Sequence, residues 1–227
     1  MEKQMQQSEI YCLGDSIGRI SLIDYMGDET KIINAARVSM GKSILKMEDK
    51  DIKLLEYLIK HKHETPLEHV SFTFLVKCPL YIARQWLRHR IGSFNEISAR
   101  YTEIKEEFYI PLEFKQQSDV SKQCSTDLEV ETPNLALDSY KKALKQSYEQ
   151  YQNLLLMGVS REQARGVLPT AMYTEFYWSI NLRALLNFLE LRLDKHAQRE
   201  MQEYSKAIVK LIQPLVPNTL RIKDIIS

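Results

Sequence analysis

Arg88 to Tyr101 carries the densest set of side chains that could do chemistry, with the sequence RHRIGSFNEISARY. These fourteen residues hold three arginines but only one carboxylate, Glu96, and they have neither helical nor strand periodicity throughout. A guanidinium group recognises phosphate or carboxylate in a planar, bidentate geometry, and Ser93 and Ser98 add neutral donors. The segment therefore predicts a binding site for an anion.

A solvated helix end followed by a polar loop is the simpler alternative. Arg84 and Arg88 are four residues apart, so they would lie one turn apart on a predicted helix that begins at Pro79. That alternative explains an isolated Arg-His-Arg sequence. It does not explain why Asn95-Glu96 and Arg100-Tyr101 follow at fixed offsets, because a solvated loop has no need of them.

Three histidines, His61, His63 and His69, lie in a second polar segment, with Glu64 and Glu68 between them. The set could supply metal ligands, but it has no cysteine partner at a zinc spacing and no HExxH sequence. A proline within the segment favours a turn, where histidines are ordinary polar residues. We therefore predict no metal site.

Arg192 lies in the apolar segment from Ala184 to Leu193, where a buried guanidinium costs free energy unless it has a partner. It is therefore a candidate ligand-binding residue, and the alternative is a salt bridge to Asp194, Glu190 or another chain. If the segment is helical, His196 lies on the same face as Arg192, four residues away.

The apolar patterns around these residues indicate both helices and strands. Alternation predicts strands over Arg19–Tyr25 and Val70–Val76, and Met172–Ile180 fits either a strand or a buried helix. Helical spacing predicts helices over residues 29–38, 49–59, 80–88, 134–157, 182–193 and 197–216, with Asp28 as the N-cap of the first. The polar residues from Lys105 to Glu131 predict a long, mobile surface loop. The pattern has no βαβ alternation and no linker, so we predict one α+β domain over residues 1–227, with a central, mostly antiparallel sheet flanked by helices.

Composition restricts the partners and the location of the protein. The 31 lysines and arginines nearly balance the 30 aspartates and glutamates, for a formal net charge of +1. A protein that binds long nucleic acid has a basic excess, so we predict no nucleic-acid polymer as a partner. The three cysteines are widely spaced, and no apolar run reaches the ~20 residues of a membrane helix. We therefore expect a cytoplasmic protein with reduced thiols and no membrane contact.

The segment from Arg88 to Tyr101 matches in full the signature RHRxxSxNExSxRY, and the chain thereby resembles the flavin-dependent thymidylate synthases. Other segments agree with this family in the same order along the chain. His61–His69 is similar to its HxHETPxEH segment, Ala35–Ser39 to an early helix end, and Arg161–Pro169 to its ARxxLP element. The similarity spans about residues 18 to 210.

The resemblance implies an activity and its cofactors. The activity is reductive methylation of dUMP to dTMP, in which 5,10-methylenetetrahydrofolate supplies the carbon, FAD carries the hydride and NADPH re-reduces the flavin. Members of this family are homotetramers whose active sites are assembled from several subunits. The chain has no GxGxxG sequence, so the flavin would be held by side chains and helix ends.

The same resemblance implies roles for individual residues. Arg192 is the implied catalytic residue, which would stabilise the N3-deprotonated form of the uracil base. The implied dUMP-binding residues are Gln85, Arg88, Glu96, Ser98, Ala99, Arg100, Arg165 and Arg192. The implied FAD-binding residues are Ser39, His63, Thr65, Arg88, His89, Arg90, Glu96, Asn181, Arg183, Asn187 and His196.

Two other classes of function are compatible with single segments of the sequence. A non-enzymatic nucleic-acid-binding module would use Arg84 to Arg100, bind long polynucleotides in a salt-sensitive manner and carry no flavin. A metal-dependent hydrolase would use His61, His63 and His69 and hold stoichiometric zinc.

Overall fold

The computed structural model describes residues 9–122 and 124–226, which form an α+β fold. The strands are β1 (Glu9–Tyr11), β2 (Arg19–Met26), β3 (Ser71–Pro79), β4 (Ser93–Glu96), β5 (Lys115–Gln117), β6 (Ser125–Glu129) and β7 (Tyr173–Asn181). The α-helices are α1 (Glu29–Arg37), α2 (Asp49–Lys60), α3 (Leu80–Trp86), α4 (Pro133–Leu156), α5 (Arg161–Ala164), α6 (Leu182–Arg192), α7 (Arg199–Ile212) and α8 (Pro217–Ile222). Short 3-10 segments span Val38–Met40, Thr65–His69 and Arg165–Val167.

A central sheet has the strand order β1-β2-β3-β7-β4, and β5 pairs with β6 in a separate two-stranded sheet. The pairing is mostly antiparallel; in β1 and β2, for example, Ile10 lies opposite Ile20. Along β3, Phe72, Phe74 and Val76 are buried and alternate with half-buried residues, which is the period of a strand with one face on the core. The strands predicted from alternation are therefore confirmed as β2 and β3.

Contacts between Cα atoms divide the chain into two compact units. Of the described residues, the first unit comprises those up to Val76, Arg88–Asn95 and those from Phe176 onward, and the second comprises those of Lys77–Leu87 and Glu96–Glu175. Strands β3, β4 and β7 contribute residues to both units. The single domain over residues 1–227 stays a prediction.

In the first unit, α1 begins at the residue that the sequence indicates. A side-chain oxygen of Asp28 accepts the backbone N–H groups of Thr30 at 2.9 Å and Lys31 at 3.3 Å, which satisfies two donors of the first turn. Ile32 and Ile33 of this helix are fully buried. Helix α7 packs against β2 and α6, and α8 packs against α2. The helix predicted after Asp28 is confirmed, whereas the sequence analysis did not predict α8.

The carboxylate of Glu29 joins the start of α1 to the start of α8, and Glu29 is only 4% exposed. It accepts the backbone N–H of Thr219 at 2.6 Å, the Thr219 hydroxyl at 3.0 Å and the Asn218 amide at 2.7 Å. Because Glu29→Ala leaves a buried N–H without this acceptor, we expect the free energy of unfolding to fall by about 2 kcal/mol in a urea titration. Glu56→Ala at an exposed position is the control and should change it by less than ~0.5 kcal/mol. Equal losses in the two variants would contradict this role of Glu29.

In the second unit, α4 covers a cluster of buried residues, comprising Ala99, Ile104, Tyr151, Ala164 and Met172. The Tyr151 hydroxyl accepts the backbone N–H of Ile104 at 3.2 Å, and α4 also packs against α5 and the 3-10 segment that follows it. This cluster fixes the position of the chain that follows β4.

Two predictions for irregular segments are wrong. The helix predicted to run to Arg88 ends at Trp86, and Arg88 lies in the connection between α3 and β4. Arg84 and Arg88 therefore do not share a helix. The segment predicted as a loop, Lys105–Glu131, contains the antiparallel strands β5 and β6. These strands are polar, so they lack the apolar alternation of a half-buried strand, and the Gln117 amide closes their connection by donating to backbone carbonyls.

Candidate active site

The first unit holds the beginning of the arginine-rich segment, Arg88–Asn95, beside β7. Phe94 stacks on Trp178, with ring centroids 6.2 Å apart and an interplanar angle of 18°. A Cβ atom at Gly92 would lie 3.0 Å from the indole nitrogen of Trp178 and 3.1 Å from the Ser179 carbonyl oxygen. Glycine at position 92 therefore allows the segment to lie this close to β7. The signature RHRxxSxNExSxRY does not specify the residue at this position.

Arg192, the predicted catalytic residue, is the last residue of α6 and is half-buried in the first unit. Its Nε donates a hydrogen bond to Nε2 of His89 at 2.9 Å. Burial, and secondarily the charge of Arg192, lowers the pKa of His89 to about 4, so its ring is uncharged at neutral pH and can accept this hydrogen bond. Burial also lowers the pKa of Arg192. The structure thus brings together two predicted site residues that are 103 positions apart in the sequence.

Arg183 links α6 to the 3-10 segment Thr65–His69. Its Nε lies 3.3 Å from a carboxylate oxygen of Glu64, and its Nη1 lies 2.6 Å from one of Glu68. The hydrogen bond to Glu68 raises the pKa of Arg183. Asn181 begins the same helix by accepting a backbone N–H through its side-chain oxygen. The two glutamates that we considered as metal ligands therefore hold an arginine beside predicted flavin-binding residues.

Other predicted flavin-binding residues of the first unit have exposed side chains, namely Ser39, His63, Thr65, Arg88, Arg90 and Asn187. A flavin dinucleotide has a charged pyrophosphate, polar ring edges and an apolar ring face. The exposed guanidinium of Arg90 suits the pyrophosphate, and the hydroxyl, amide and imidazole groups suit the ring edges. Met40 and Ile91 are exposed apolar side chains, 61% and 71% accessible, that suit the ring face. The donor set of this unit therefore fits FAD.

Ser39 lies in a segment that is anchored on α1 and α2. Arg37, the last residue of α1, forms an ion pair with the fully buried Asp51 at 2.5 Å. Asn34 of α1 holds the segment at Ile44, on the far side of Ser39. Its side-chain oxygen accepts the backbone N–H of Ile44 at 2.7 Å, and its amide donates to the Ile44 carbonyl at 3.0 Å. These contacts fix the backbone around a predicted flavin ligand.

The second unit contains the rest of the arginine-rich segment, Glu96–Tyr101. The hydroxyl of Thr174, a buried residue of β7, donates a hydrogen bond to the carboxylate of Glu96. The backbone N–H of Ile97 donates to the Glu175 carbonyl at 2.9 Å. Thr174 is therefore a residue that positions a predicted ligand of both dUMP and FAD, and the sequence analysis missed it.

Arg100 and Arg165, two predicted dUMP-binding residues, both contact Glu162 in the second unit. The Arg100 Nη2 lies 2.9 Å from the Glu162 carboxylate, and the Arg165 Nε donates to the Glu162 carbonyl at 3.3 Å. The hydroxyl of Ser98 accepts the backbone N–H of Arg100 at 3.3 Å, and the neighbouring Ala99 is buried. The structure thus brings Arg100 and Arg165 together at Glu162, a contact that no pattern in the sequence indicates.

Thr174→Val tests whether this hydroxyl positions Glu96. The substitution keeps the branched shape but removes the donor, and a hydrogen bond to a charged group contributes about 1.5–3 kcal/mol. We therefore expect the Kd of dUMP, measured by calorimetry, to rise roughly ten- to hundredfold. Thr174→Ser keeps the hydroxyl and should bind dUMP as the wild type does. If the two variants bind dUMP equally well, Thr174 has no such role.

His196 does not lie on α6, so its predicted helical pairing with Arg192 is wrong. The helix ends at Arg192, and a side-chain oxygen of Asp194 accepts the backbone N–H of His196 at 2.8 Å and lies 2.9 Å from its ring Nδ1. This local bonding stabilises a turn instead of a further helical turn. Gln85 is half-buried on α3, and Arg88 is exposed just beyond that helix.

Across residues 9–122 and 124–226, no group of three or more His, Cys, Asp or Glu side chains is arranged to hold a metal ion. Among the helices of that same part of the chain, none is both long and apolar enough to span a membrane. Within the described residues, Cys12, Cys78 and Cys124 form no disulfide.

Comparisons with known proteins match nearly the whole chain. The family model described as thymidylate synthase complementing protein matches residues 21–218. The flavin-dependent thymidylate synthase of Thermosipho melanesiensis is 49% identical over 89% of this chain and 88% of its own length. That of Thermosipho africanus is 50% identical over 89% of each chain. The crystal structure of the UMP/dUMP methylase PolB from Streptomyces cacaoi, bound with 5-Br dUMP, has a TM-score of 0.84 at 32% identity, over 91% of this chain and 94% of that chain.

Proposed function

Because the chain belongs to the thymidylate synthase complementing protein family, we propose that it catalyses the reductive methylation of dUMP to dTMP. The observation that carries this proposal is the 49–50% identity to flavin-dependent thymidylate synthases over 89% of the chain. 5,10-Methylenetetrahydrofolate provides the carbon. A methylene carbon becomes a methyl group by gaining one hydride, which FAD supplies when it is bound and reduced, and NADPH is the final reductant.

We assign FAD binding to the residues that the resemblance implies, namely Ser39, His63, Thr65, Arg88, His89, Arg90, Glu96, Asn181, Arg183, Asn187 and His196. Two arginines among these residues differ in their electrostatic surroundings, and we assign them different roles. Arg90 is exposed and suits the pyrophosphate. Arg183 already pairs with Glu64 and Glu68, so it suits a hydrogen-bonding role on the flavin rather than charge neutralisation.

We assign dUMP binding to Gln85, Arg88, Glu96, Ser98, Ala99, Arg100, Arg165 and Arg192. The phosphate dianion suits the exposed guanidinium groups of Arg88, Arg100 and Arg165. The ion pair of Arg100 with Glu162 is half exposed on both sides, and such pairs contribute about 0–1 kcal/mol. Binding of the phosphate can therefore displace the Glu162 carboxylate from Arg100 with little loss of stability.

We assign the activation of the base to Arg192. Uracil C5 is a poor nucleophile until negative charge is delocalised into the ring, and loss of the N3 proton provides that charge. A cation beside the ring stabilises the deprotonated form, and it does so more strongly in a half-buried site than in water. Arg192 acts by electrostatic stabilisation, and this role requires that its guanidinium be held in a fixed orientation.

The assembly and the location follow from the family as proposals. We expect a homotetramer in the cytoplasm, with active sites shared between subunits. Light scattering on the purified protein measures the number of subunits.

UMP is the second candidate substrate, because the structure of PolB has also been solved with 5-Br UMP, with a TM-score of 0.80 to this chain at 30% identity. We favour dUMP, since the relatives at 49% and 50% identity are thymidylate synthases. The ratio of kcat/KM for dUMP and UMP distinguishes the two candidates.

The oxidation of reduced flavin tests the proposed function. FAD-loaded protein is reduced with NADPH without oxygen and then mixed with methylenetetrahydrofolate, with or without dUMP. We expect flavin absorbance to return only when dUMP is present. If added FAD restores no dUMP-dependent oxidation, the proposal is wrong. Salt-sensitive polynucleotide binding without flavin, or stoichiometric zinc, would instead favour the two other classes of function.

A further inference from the structure

The hydrogen bond between His89 and Arg192 points to a role for His89 beyond flavin binding. We propose that His89 is a positioning residue, whose Nε2 accepts the Nε–H of Arg192 and thereby orients the guanidinium toward the uracil base. The inference rests on the proposed function, in which Arg192 activates that base. It differs from the flavin-binding role of His89 that the resemblance implies.

The chemistry of the His89 ring suits an acceptor. Its pKa of about 4 means that the ring carries one proton at neutral pH. Because Nε2 accepts the hydrogen bond of Arg192, that proton lies on Nδ1. A protonated imidazolium has two donors and no acceptor, so it could not hold an arginine in this way.

The position of the His89 ring is fixed by its packing. The edge of the ring meets Phe188, with centroids 4.7 Å apart and an interplanar angle of 64°. Phe188 is fully buried and lies four residues before Arg192 on α6, so the same helix carries both the ring contact and the guanidinium. Gly92 and Phe94 hold the chain that follows His89 against β7. The acceptor is therefore supported on two sides within the first unit.

The bond to Nε determines the plane of the guanidinium. Nε, Cζ and both Nη atoms of an arginine are coplanar, so fixing the Nε–H direction also fixes the directions of the Nη–H donors. A free arginine side chain has many rotamers, and restricting it to one of them costs conformational entropy. If the side chain is already ordered before the reaction, this entropy is not lost in the reaction step. Loss of the acceptor should therefore weaken catalysis more than it weakens flavin binding.

Three variants separate this role from a structural one. His89→Phe keeps an aromatic ring against Phe188 but removes the acceptor, and His89→Gln supplies a neutral side-chain oxygen that can accept from Arg192. We expect His89→Phe, assayed at saturating FAD, to lower kcat for dTMP formation about ten- to hundredfold. We expect His89→Gln to recover most of the activity. In the Arg192→Ala background, His89→Phe should have almost no further effect, because the coupled partner is already absent.

A spectroscopic measurement gives a readout that does not depend on turnover. In protein labelled with nitrogen-15 at arginine, the Nε–H of Arg192 should exchange slowly with water in the wild type and quickly in His89→Phe. Wild-type activity in His89→Phe, additive losses with Arg192→Ala, or unchanged exchange of this proton each overturns the positioning role. A loss of FAD affinity in His89→Phe with kcat unchanged at saturating FAD also overturns it, in favour of flavin binding alone. A wild-type protein without dUMP-dependent flavin oxidation overturns the proposed function itself, which is a separate result.

Discussion

Arg192→Ala should lower kcat for dTMP formation by roughly 10²–10³-fold, with the protein folded and its flavin retained. The reason is that the guanidinium stabilises charge on the uracil ring during the reaction, and removal of one such group from a preorganised site has an effect of this size. The residue is half-buried, so water screens its charge less than it screens that of an exposed arginine. Single-turnover oxidation of reduced flavin with saturating dUMP measures the chemical step directly.

Two further variants serve as controls. One keeps the positive charge at position 192, and the other removes an arginine outside the proposed site. Arg192→Lys keeps the positive charge but lacks the planar group and the Nε–H that bonds His89, so we expect it to recover only part of the activity. Arg221→Ala removes an exposed arginine whose guanidinium donates to Asn218, and it should turn over as the wild type does. An Arg192→Ala enzyme with nearly wild-type kcat would show that another group activates the base.

The second large effect is on stability, at the ion pair of Arg37 with Asp51. Arg37→Ala should lower the free energy of unfolding by about 3–5 kcal/mol, because it removes the ionic partner of the fully buried Asp51. The other carboxylate oxygen of Asp51 accepts the backbone N–H of Glu48 at 2.9 Å, so the start of α2 would be disturbed as well. Denaturant titration followed by circular dichroism measures the loss.

An exposed ion pair provides the comparison for this prediction. Arg19 lies 3.0 Å from Glu9, and both side chains retain solvent contact, so Arg19→Ala should change stability by about 0–1 kcal/mol. If Arg37→Ala is as stable as Arg19→Ala, Asp51 is not held in the fold by Arg37. Because Ser39 follows Arg37 by two residues, we also expect the destabilised variant to bind FAD more weakly.

Helices and strands with one buried face were predictable, because burial of that face imposes a regular spacing of apolar residues. Asp28 as a helix cap and the apolar spacing of α1 and α2 follow local rules, and the structure confirms them. Alternation predicted β3 in the same way. The sequence of Met172–Ile180 fitted either a strand or a buried helix. Hydrogen bonding to neighbouring strands makes this segment β7.

Pairings between distant residues were not predictable from these patterns. His89 and Arg192 are 103 positions apart, and Thr174 and Glu96 are 78 apart, so no local spacing could have indicated either contact. Glu162 lies beside a recognised motif, but a glutamate at a helix start is ordinary in itself. The sequence therefore supplied the candidate residues for the chemistry, and the structure identifies side chains that contact them.

The transfer of the methylene carbon from the folate to dUMP can be followed with a radiolabel. Purified protein is incubated with dUMP, FAD, NADPH and methylenetetrahydrofolate that carries a radiolabel in its methylene carbon, and the nucleotides are separated by chromatography. We expect labelled dTMP to form in equal amount to the dUMP consumed, and to require both FAD and NADPH. If folded, FAD-loaded protein yields no labelled dTMP under these conditions, this protein is not a flavin-dependent dUMP methylase.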